Sequence, residues 1–245
     1  MPTILSLETS TKVCSVAIHQ NGKCLTINEL HSEKSSSAML TVMIHNALKI
    51  TNLSFEEIDA VAVSKGPGSY TGLRIGVSTA KGLCFTLEKP LIAVNTLEAM
   101  AVQLSEFRIQ DSEKIFTHSL IHSFTHLLCS MLDARRMEVY CAVFDAETLE
   151  EFLPTEAKII DENSFSDLLL QHKIIFFGDG AEKCKSFLGE NKNAIFLENL
   201  IYPSAKTVGI LATKAFEKQD FEDLETFEPF YLKDFMTTTP KLPLM

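Results

Sequence analysis

Short apolar runs separated by polar or glycine-bearing turns dominate the chain, and they arrive in the same order twice. Ile4-Leu5-Ser6-Leu7 predicts a strand that ends at an acid, Glu8, followed by the polar link Thr9-Ser10-Thr11-Lys12 and a second strand over 13–18. Asn21-Gly22 is a two-residue hairpin signal, which puts a third strand at 24–30. A helix is expected over 35–50 and a buried strand over 60–63. The tight turn Gly66-Pro67-Gly68 comes next, with Ser69 as N-cap of a helix that runs to Leu87. A strand at 91–94 and a helix capped by Thr96 close the first round, and the polar stretch 105–116 reads as a hinge. The second round opens with a strand at 128–132 ending at Asp133, the link Ala134-Arg135-Arg136, and strands at 137–144 and 148–153. A helix at 165–171, a strand at 174–177, the turn Gly178-Asp179-Gly180 leading into another helix, and a helix at 204–218 complete it.

The repeated order predicts two related ββαβα lobes of α/β class, residues 1–105 and 106–245, each built on a mixed sheet. Glu8 and Asp133 fall at corresponding places, each closing a first strand before a polar hairpin. A duplicated core with an acid and hydroxyls on each first hairpin resembles the actin-like ATPase (ASKHA), ribonuclease H-like architecture, in which two phosphate hairpins face each other. On that reading Glu8, Thr9, Ser10, Thr11 and Asp133 would hold a magnesium–phosphate group and Gly178 and Gly180 would touch an adenosine. The simpler reading is hairpin turns satisfied by local Ser/Thr hydrogen bonds. The 65–76 stretch also lacks the Gly-Lys-Ser/Thr ending that puts a lysine on a phosphate. An actin-like ATPase or small-molecule kinase is therefore the alternative function.

The apolar pattern of the two helices in the first lobe is wider than one sheet needs. Over 35–50, Leu40, Ile44, Ala47 and Leu48 make one apolar face and Met39, Val42, Met43 and Ile50 a second, leaving Thr41, His45 and Lys49 as the polar stripe. Either the helix lies between two layers or its second face meets another chain. In the next helix Gly72 and Gly76 stand at i, i+4 with Gly82 beyond, and each interior glycine costs about 1 kcal/mol relative to alanine. Such glycines suggest close approach of a neighbouring helix. The expected partner surface is Met39, Val42, Met43, Asn46, Ile50, Gly72, Arg74, Ile75, Gly76 and Thr79.

Composition narrows the function classes. The 245 residues carry 46% hydrophobic and 22% charged side chains and a net charge of −10, which argues against direct binding of a polyanion. Arg135-Arg136 is the basic cluster that departs from this balance. The six cysteines are far apart without a CxxC pair and read as buried free thiols, and the absence of a signal or membrane-spanning segment predicts a cytoplasmic protein with no membrane partner. His118, His122 and His126 have helical metal-ligand spacing, but no acid ligand accompanies them and no metal site is assigned. No catalytic residue is assigned either.

Lys-Gly-Pro-Gly-Ser-Tyr-Thr-Gly-Leu-Arg-Ile-Gly at 65–76 resembles the signature of the TsaB (YeaZ) family of tRNA threonylcarbamoyladenosine biosynthesis. ILSLETSTKVCSVAI resembles that family's opening hairpin, MLDARRMEVYCAVF its second-lobe hairpin, and EPFYLK its last motif, with Lys233 where arginine is usual. The resemblance implies an actin-like fold shared with the catalytic paralogue TsaD. It places Thr96 and Met100 where that paralogue has its metal-binding HxxxH. It also implies a non-catalytic scaffold that pairs with TsaD through the two helices of its first lobe, recruits the ATPase TsaE, and forms a homodimer when alone. Contact with tRNA would then come mainly through partners. No cofactor of its own is expected, ATP or ADP with magnesium entering only at a shared interface.

Overall fold

The computed structural model describes residues 2–31, 36–110 and 126–233. The first sheet contains β1 (Thr3–Glu8), β2 (Val13–Gln20), β3 (Lys23–His31), β4 (Ala60–Gly66) and β5 (Leu91–Asn95), in the order β3-β2-β1-β4-β5. The second contains β6 (His126–Asp133), β7 (Glu138–Asp145), β8 (Glu151–Ile159), β9 (Lys173–Phe177) and β10 (Ala194–Phe196), in the order β10-β9-β6-β7-β8. β1 runs antiparallel to β2 and parallel to β4, and β6 stands in the same relation to β7 and β9. One topology is thus used twice, as the repeated order of elements in the sequence predicts. Asn21 and Gly22 turn the β2–β3 hairpin at φ 56° and 75°, the left-handed region that Asn-Gly adopts readily.

The helices are α1 (Ser36–Thr51), α2 (Tyr70–Leu87), α3 (Thr96–Gln110), α4 (Ser166–Gln171), α5 (Lys185–Leu188) and α6 (Ala205–Glu217). Strand alternation sorts them into layers. Leu5, Leu7, Val61 and Val63 face α1 and α2, whereas Ile4, Ala60, Ala62, Ile92 and Val94 face α6 and Ala99 of α3. On the second sheet Leu128, Ala142, Phe144, Ile175 and Phe177 meet Leu97, Met100 and Leu104 of α3. Its other face, with Cys129, Met131, Cys141 and Phe176, is closed around Leu169 of α4 and Leu188 of α5. The central layer therefore joins the lobes through α3, which packs on both sheets, while α6 lies beside it on the first.

That layer corrects the lobe boundary. The sequence reading gave everything after residue 105 to the second lobe, yet α6 lies on β1 and β2 of the first sheet through Val208 and Ala212. Its small residues permit the approach: a Cβ on Gly209 would collide with the His19 ring. An amphipathic helix records how much surface it buries, but not which sheet receives it.

Other differences are local. The strand expected at 148–153 sits at Glu151–Ile159, because Asp145 caps a turn by accepting from the amides of Glu147 and Thr148 at 2.8 and 2.9 Å. The helix expected after Gly180 is a 3-10 turn followed by the four-residue α5, and β10 was not anticipated. His126 lies on β6 and is buried, so it shares no helix face with His118 and His122, which lie outside the described residues. All six cysteines are free and all but Cys24 are buried.

Candidate functional site

The β1–β2 hairpin is closed by its own glycine motif. Glu8, Thr9 and Ser10 are at most 1% exposed. The Glu8 carboxylate accepts from the Ser10 amide at 2.6 Å and from the Ser64 hydroxyl. Burial pushes its pKa above the ordinary 4.5, and the hydrogen bonds from Ser10 and Ser64 oppose this only in part. The start of α2 covers the hairpin: the Ser69 amide donates to the Ser10 carbonyl at 2.6 Å, and the Thr9 hydroxyl donates to the Gly72 carbonyl at 2.8 Å. Ser69 also caps α2, as expected, by accepting from the Gly72 amide. A Cβ on Gly68 would come within 2.5 Å of the Ser10 carbonyl, one on Gly72 would overlap the Thr9 carbonyl, and one on Gly76 the Thr9 hydroxyl.

Two expectations are corrected by this packing. Gly72 and Gly76 make room for Thr9 of the same chain, so they are not contact points for another one. Glu8, Thr9 and Ser10 are sealed beneath α2, so they present no open site for a magnesium–phosphate group, and the half-buried Thr11 uses its hydroxyl to accept from the Val13 amide at 3.2 Å. Nothing local in the sequence pairs Thr9 with a glycine 63 positions away.

The β6–β7 hairpin is held differently. Asp133 is exposed and ion-paired with Lys183, whose ammonium also donates to the carbonyls of Arg136 and Glu138 at 2.8 and 2.7 Å. Partial burial pushes the Asp133 carboxyl up, but Lys183 and the Arg135 amide outweigh it and hold the pKa below the ordinary 3.8. Asp179 accepts from the Asp133 amide at 3.0 Å, and burial raises its own pKa. Gly178 and Gly180 are buried, with no room for a Cβ beside the carbonyl of Met131 and the backbone of Leu132. They seat the end of β6 rather than offering a surface to an adenosine, which corrects that expectation too.

The C-terminal segment joins the two hairpins. The Phe230 amide donates to the Lys65 carbonyl at 2.7 Å, and the Tyr231 ring lies 4.7 Å from that of Tyr70 at the start of α2. Lys233 pairs with Glu138 of β7 and donates to the Ala134 carbonyl. This strap crosses from the first lobe to the second.

Beside the closed hairpin, α1 and α2 pack next to each other and leave an apolar surface open. Met39, Val42, Asn46 and Ile50 are exposed at i, i+3, i+7 and i+11 along one line of α1, Ile50 by 63%. On α2, Phe85 is 81% exposed, Arg74 is exposed, and Ile75 and Thr79 are half-buried. Met43 does not belong with them: it is 6% exposed and packs into the core with Leu40, Ile44 and Ala47. Phe85 was missed because an apolar residue in a mostly apolar helix carries no sign of direction. The phase set by buried Leu73, Val77, Ala80 and Cys84 points it outward. Gly82 is the glycine without an internal reason, since a Cβ there would meet nothing within 4 Å.

Comparison with known proteins decides the family. A protein of Haemophilus influenzae named "tRNA threonylcarbamoyladenosine biosynthesis protein TsaB" is 30% identical over 98% of this chain and 97% of its own length. The Escherichia coli protein of the same name is 28% identical over 94% of each. The chain belongs to the TsaB (YeaZ) family. The wider family model "TsaD: tRNA N6-adenosine threonylcarbamoyltransferase" matches residues 28–241. A tRNA N6-adenosine threonylcarbamoyltransferase of Wolbachia pipientis subsp. Culex pipiens is 36% identical over 42% of this chain and 35% of its own. The crystal structure of YeaZ from Pseudomonas aeruginosa has the same fold, with a TM-score of 0.75 at 24% identity over 95% of this chain and all of that one.

Within this TsaB-family chain, the 65–76 motif is the seat of the first hairpin and the 228–233 motif is the strap. The places where the catalytic paralogue is expected to bind metal hold Thr96 and Met100, both fully buried, with Met100 packed into the core between α3 and the second sheet. A thioether enclosed by leucines does not fit the donor set of a hard divalent cation. Among the described residues no group of three or more His, Cys, Asp or Glu side chains has the arrangement to hold a metal ion. No helix among them is long and apolar enough to cross a membrane.

Proposed function

We propose that this chain is a non-catalytic docking subunit in tRNA threonylcarbamoyladenosine biosynthesis. Its α1–α2 surface binds a catalytic paralogue of the tRNA N6-adenosine threonylcarbamoyltransferase type, and binds a second copy of itself when alone. An ATPase of the TsaE type joins the assembled pair. The observation that carries this reading is the open line Met39, Val42 and Ile50 on α1, with Phe85 and Gly82 exposed on the neighbouring α2. Apolar side chains at helical spacing next to a glycine without internal contacts suit a helix-on-helix interface, in which the missing side chain lets backbones approach. The buried Thr96 and Met100 support a subunit without its own metal chemistry, and the sealed first hairpin gives the alternative ATPase reading no open phosphate site.

The test is size-exclusion chromatography with light scattering on the full chain, alone and mixed with its cognate transferase. Ile50→Glu and Phe85→Glu are each expected to weaken association at least about 30-fold, the size of losing a buried apolar anchor. Leu170→Glu, on the 82% exposed residue of α4, should leave it unchanged. Complexes that survive both α1–α2 substitutions at wild-type affinity would sink the proposal.

A further inference from the structure

The Arg135-Arg136 tip of the β6–β7 hairpin is used by neither the docking surface nor the sealed hairpin. Both residues are exposed, and both have positive φ, 69° and 52°. The left-handed region costs a side-chain-bearing residue about 1 kcal/mol, which Asn or Gly largely avoids. The hairpin therefore carries two guanidinium groups where cheaper residues would make the turn.

Charge at the tip is unbalanced. The two acids of the hairpin, Asp133 and Glu138, are already ion-paired with Lys183 and Lys233. Among the described residues neither arginine side chain has an ion-pair partner. The tip is also firmly placed: Lys183 grips the Arg136 and Glu138 carbonyls from below, and Lys233 of the strap grips the Ala134 carbonyl. Two exposed arginines on a held backbone, in a chain of net charge −10, offer a local anion contact with a fork geometry that matches phosphate.

The kind of partner follows from what surrounds the arginines. Within the β6–β7 hairpin no large apolar side chain is exposed, and beside it Ile159, opposite Glu138 on β8, stands exposed by itself, whereas Met39, Val42, Ile50 and Phe85 are spread over two helices of the docking surface. Protein interfaces centre on apolar or aromatic anchors, and nucleic-acid backbone contacts do not need them.

We propose that the Arg135-Arg136 tip contacts the phosphate backbone of the tRNA substrate while the docking surface is occupied, an inference that rests on the preceding reading. Two phosphate contacts of this kind position RNA without reading its sequence. They give the acidic subunit a place on the nucleic acid that its overall charge denies it.

The experiment measures affinity for a labelled unmodified tRNA transcript by anisotropy, using the complex with the cognate transferase, between 50 and 200 mM salt. The variant Arg135→Asn/Arg136→Gly keeps a residue pair that accepts positive φ and removes both charges. Lys192→Ala/Lys218→Ala removes two exposed charges elsewhere and serves as control. Expected for the tip variant are binding weaker by about tenfold or more at 0.1 M salt, and a salt-dependence slope smaller by about two. Co-elution with the transferase should be unaltered and the melting temperature equal or higher, while the control stays near wild type. Wild-type affinity and slope in the tip variant would overturn the proposal, as would loss of co-elution, which would make the tip a protein contact. If the wild-type pair does not form, the docking reading fails by that result alone. The same titration on the full chain alone then decides the tip, and tip-independent or absent binding overturns it as well.

Discussion

The β1–β2 and β6–β7 hairpins share topology and an acid at the end of the first strand, yet they are secured by opposite means. The first is buried: glycines at and before the start of α2 press on Thr9 and Ser10, and Glu8 is enclosed with hydroxyl and amide donors and, among the described residues, no ion-pair partner. The second is tethered from the surface: Lys183 and Lys233 hold it by ion pairs and carbonyl contacts, and Asp133 stays exposed. Filling the first hairpin with its own helix leaves no open pocket there and fixes the start of α2 on the sheet. Tethering the second leaves its tip free to be used. The family signature at 65–76 is thus best understood as the lock of the first hairpin.

The largest effect should come from breaking that lock. Gly72→Ala drives a Cβ into the Thr9 carbonyl, and neither backbone can yield without moving α2 off the sheet. A loss of about 3 kcal/mol or more is expected in urea denaturation, at the upper end of overpacking costs. Gly82→Ala on the same helix should do the opposite, stabilising the isolated chain by about 1 kcal/mol because its Cβ meets nothing. Equal effects at both positions would show that α2 is not seated on the first hairpin as described.

The second hairpin should yield less. Lys183→Ala removes one ion pair and two hydrogen bonds to the Arg136 and Glu138 carbonyls, from a side chain 21% exposed. About 2 kcal/mol is expected, the size of a charged hydrogen-bond set that water partly replaces. The loss should shrink as salt rises, whereas that of Gly72→Ala should not. A salt-independent loss at Lys183 would place its contribution in packing rather than charge.

Much of this architecture was legible in the sequence, and what was missed has one physical character. Short apolar runs marked most of the strands, Asn21-Gly22 and Ser69 marked a turn and a cap where they occur, and Glu8 and Asp133 do end equivalent strands. These signals lie within a few residues of the structure they specify. Gly72 against Thr9, α6 against the first sheet, and Lys233 against Glu138 join positions far apart in the chain, and no local pattern encodes them. The candidate docking surface falls between the two cases. Met39, Val42 and Ile50 were readable as an excess apolar face, but separating them from the buried Met43, and finding Phe85, needed the helix phase that packing fixes.

The smallest effect is a slope, and its sign separates the two acids. Stability changes with pH in proportion to the difference in protons bound by the unfolded and folded states. Glu8 has a folded pKa raised above 4.5 by burial, so between 4.5 and that higher value the folded state holds a proton that the unfolded state has lost. Stability therefore falls as pH rises through that window, and below 4.5 Glu8 contributes no pH dependence. Partial burial pushes the Asp133 carboxyl up, but Lys183 and Arg135 together outweigh it and hold the folded pKa below 3.8. Its contribution is present above 3.8 and is lost as pH falls through the lower folded value. Glu8→Gln can still accept from the Ser10 amide and donate to the Ser64 hydroxyl, so it should remove the loss above pH 4.5 while leaving the acid limb intact. Asp133→Asn should flatten only the acid limb below 3.8. Urea titrations from pH 3 to 8 resolve the two. A Glu8→Gln profile parallel to wild type above 4.5 would mean that the first hairpin's acid is solvated like the second's, and the contrast between a buried lock and a surface tether would be lost.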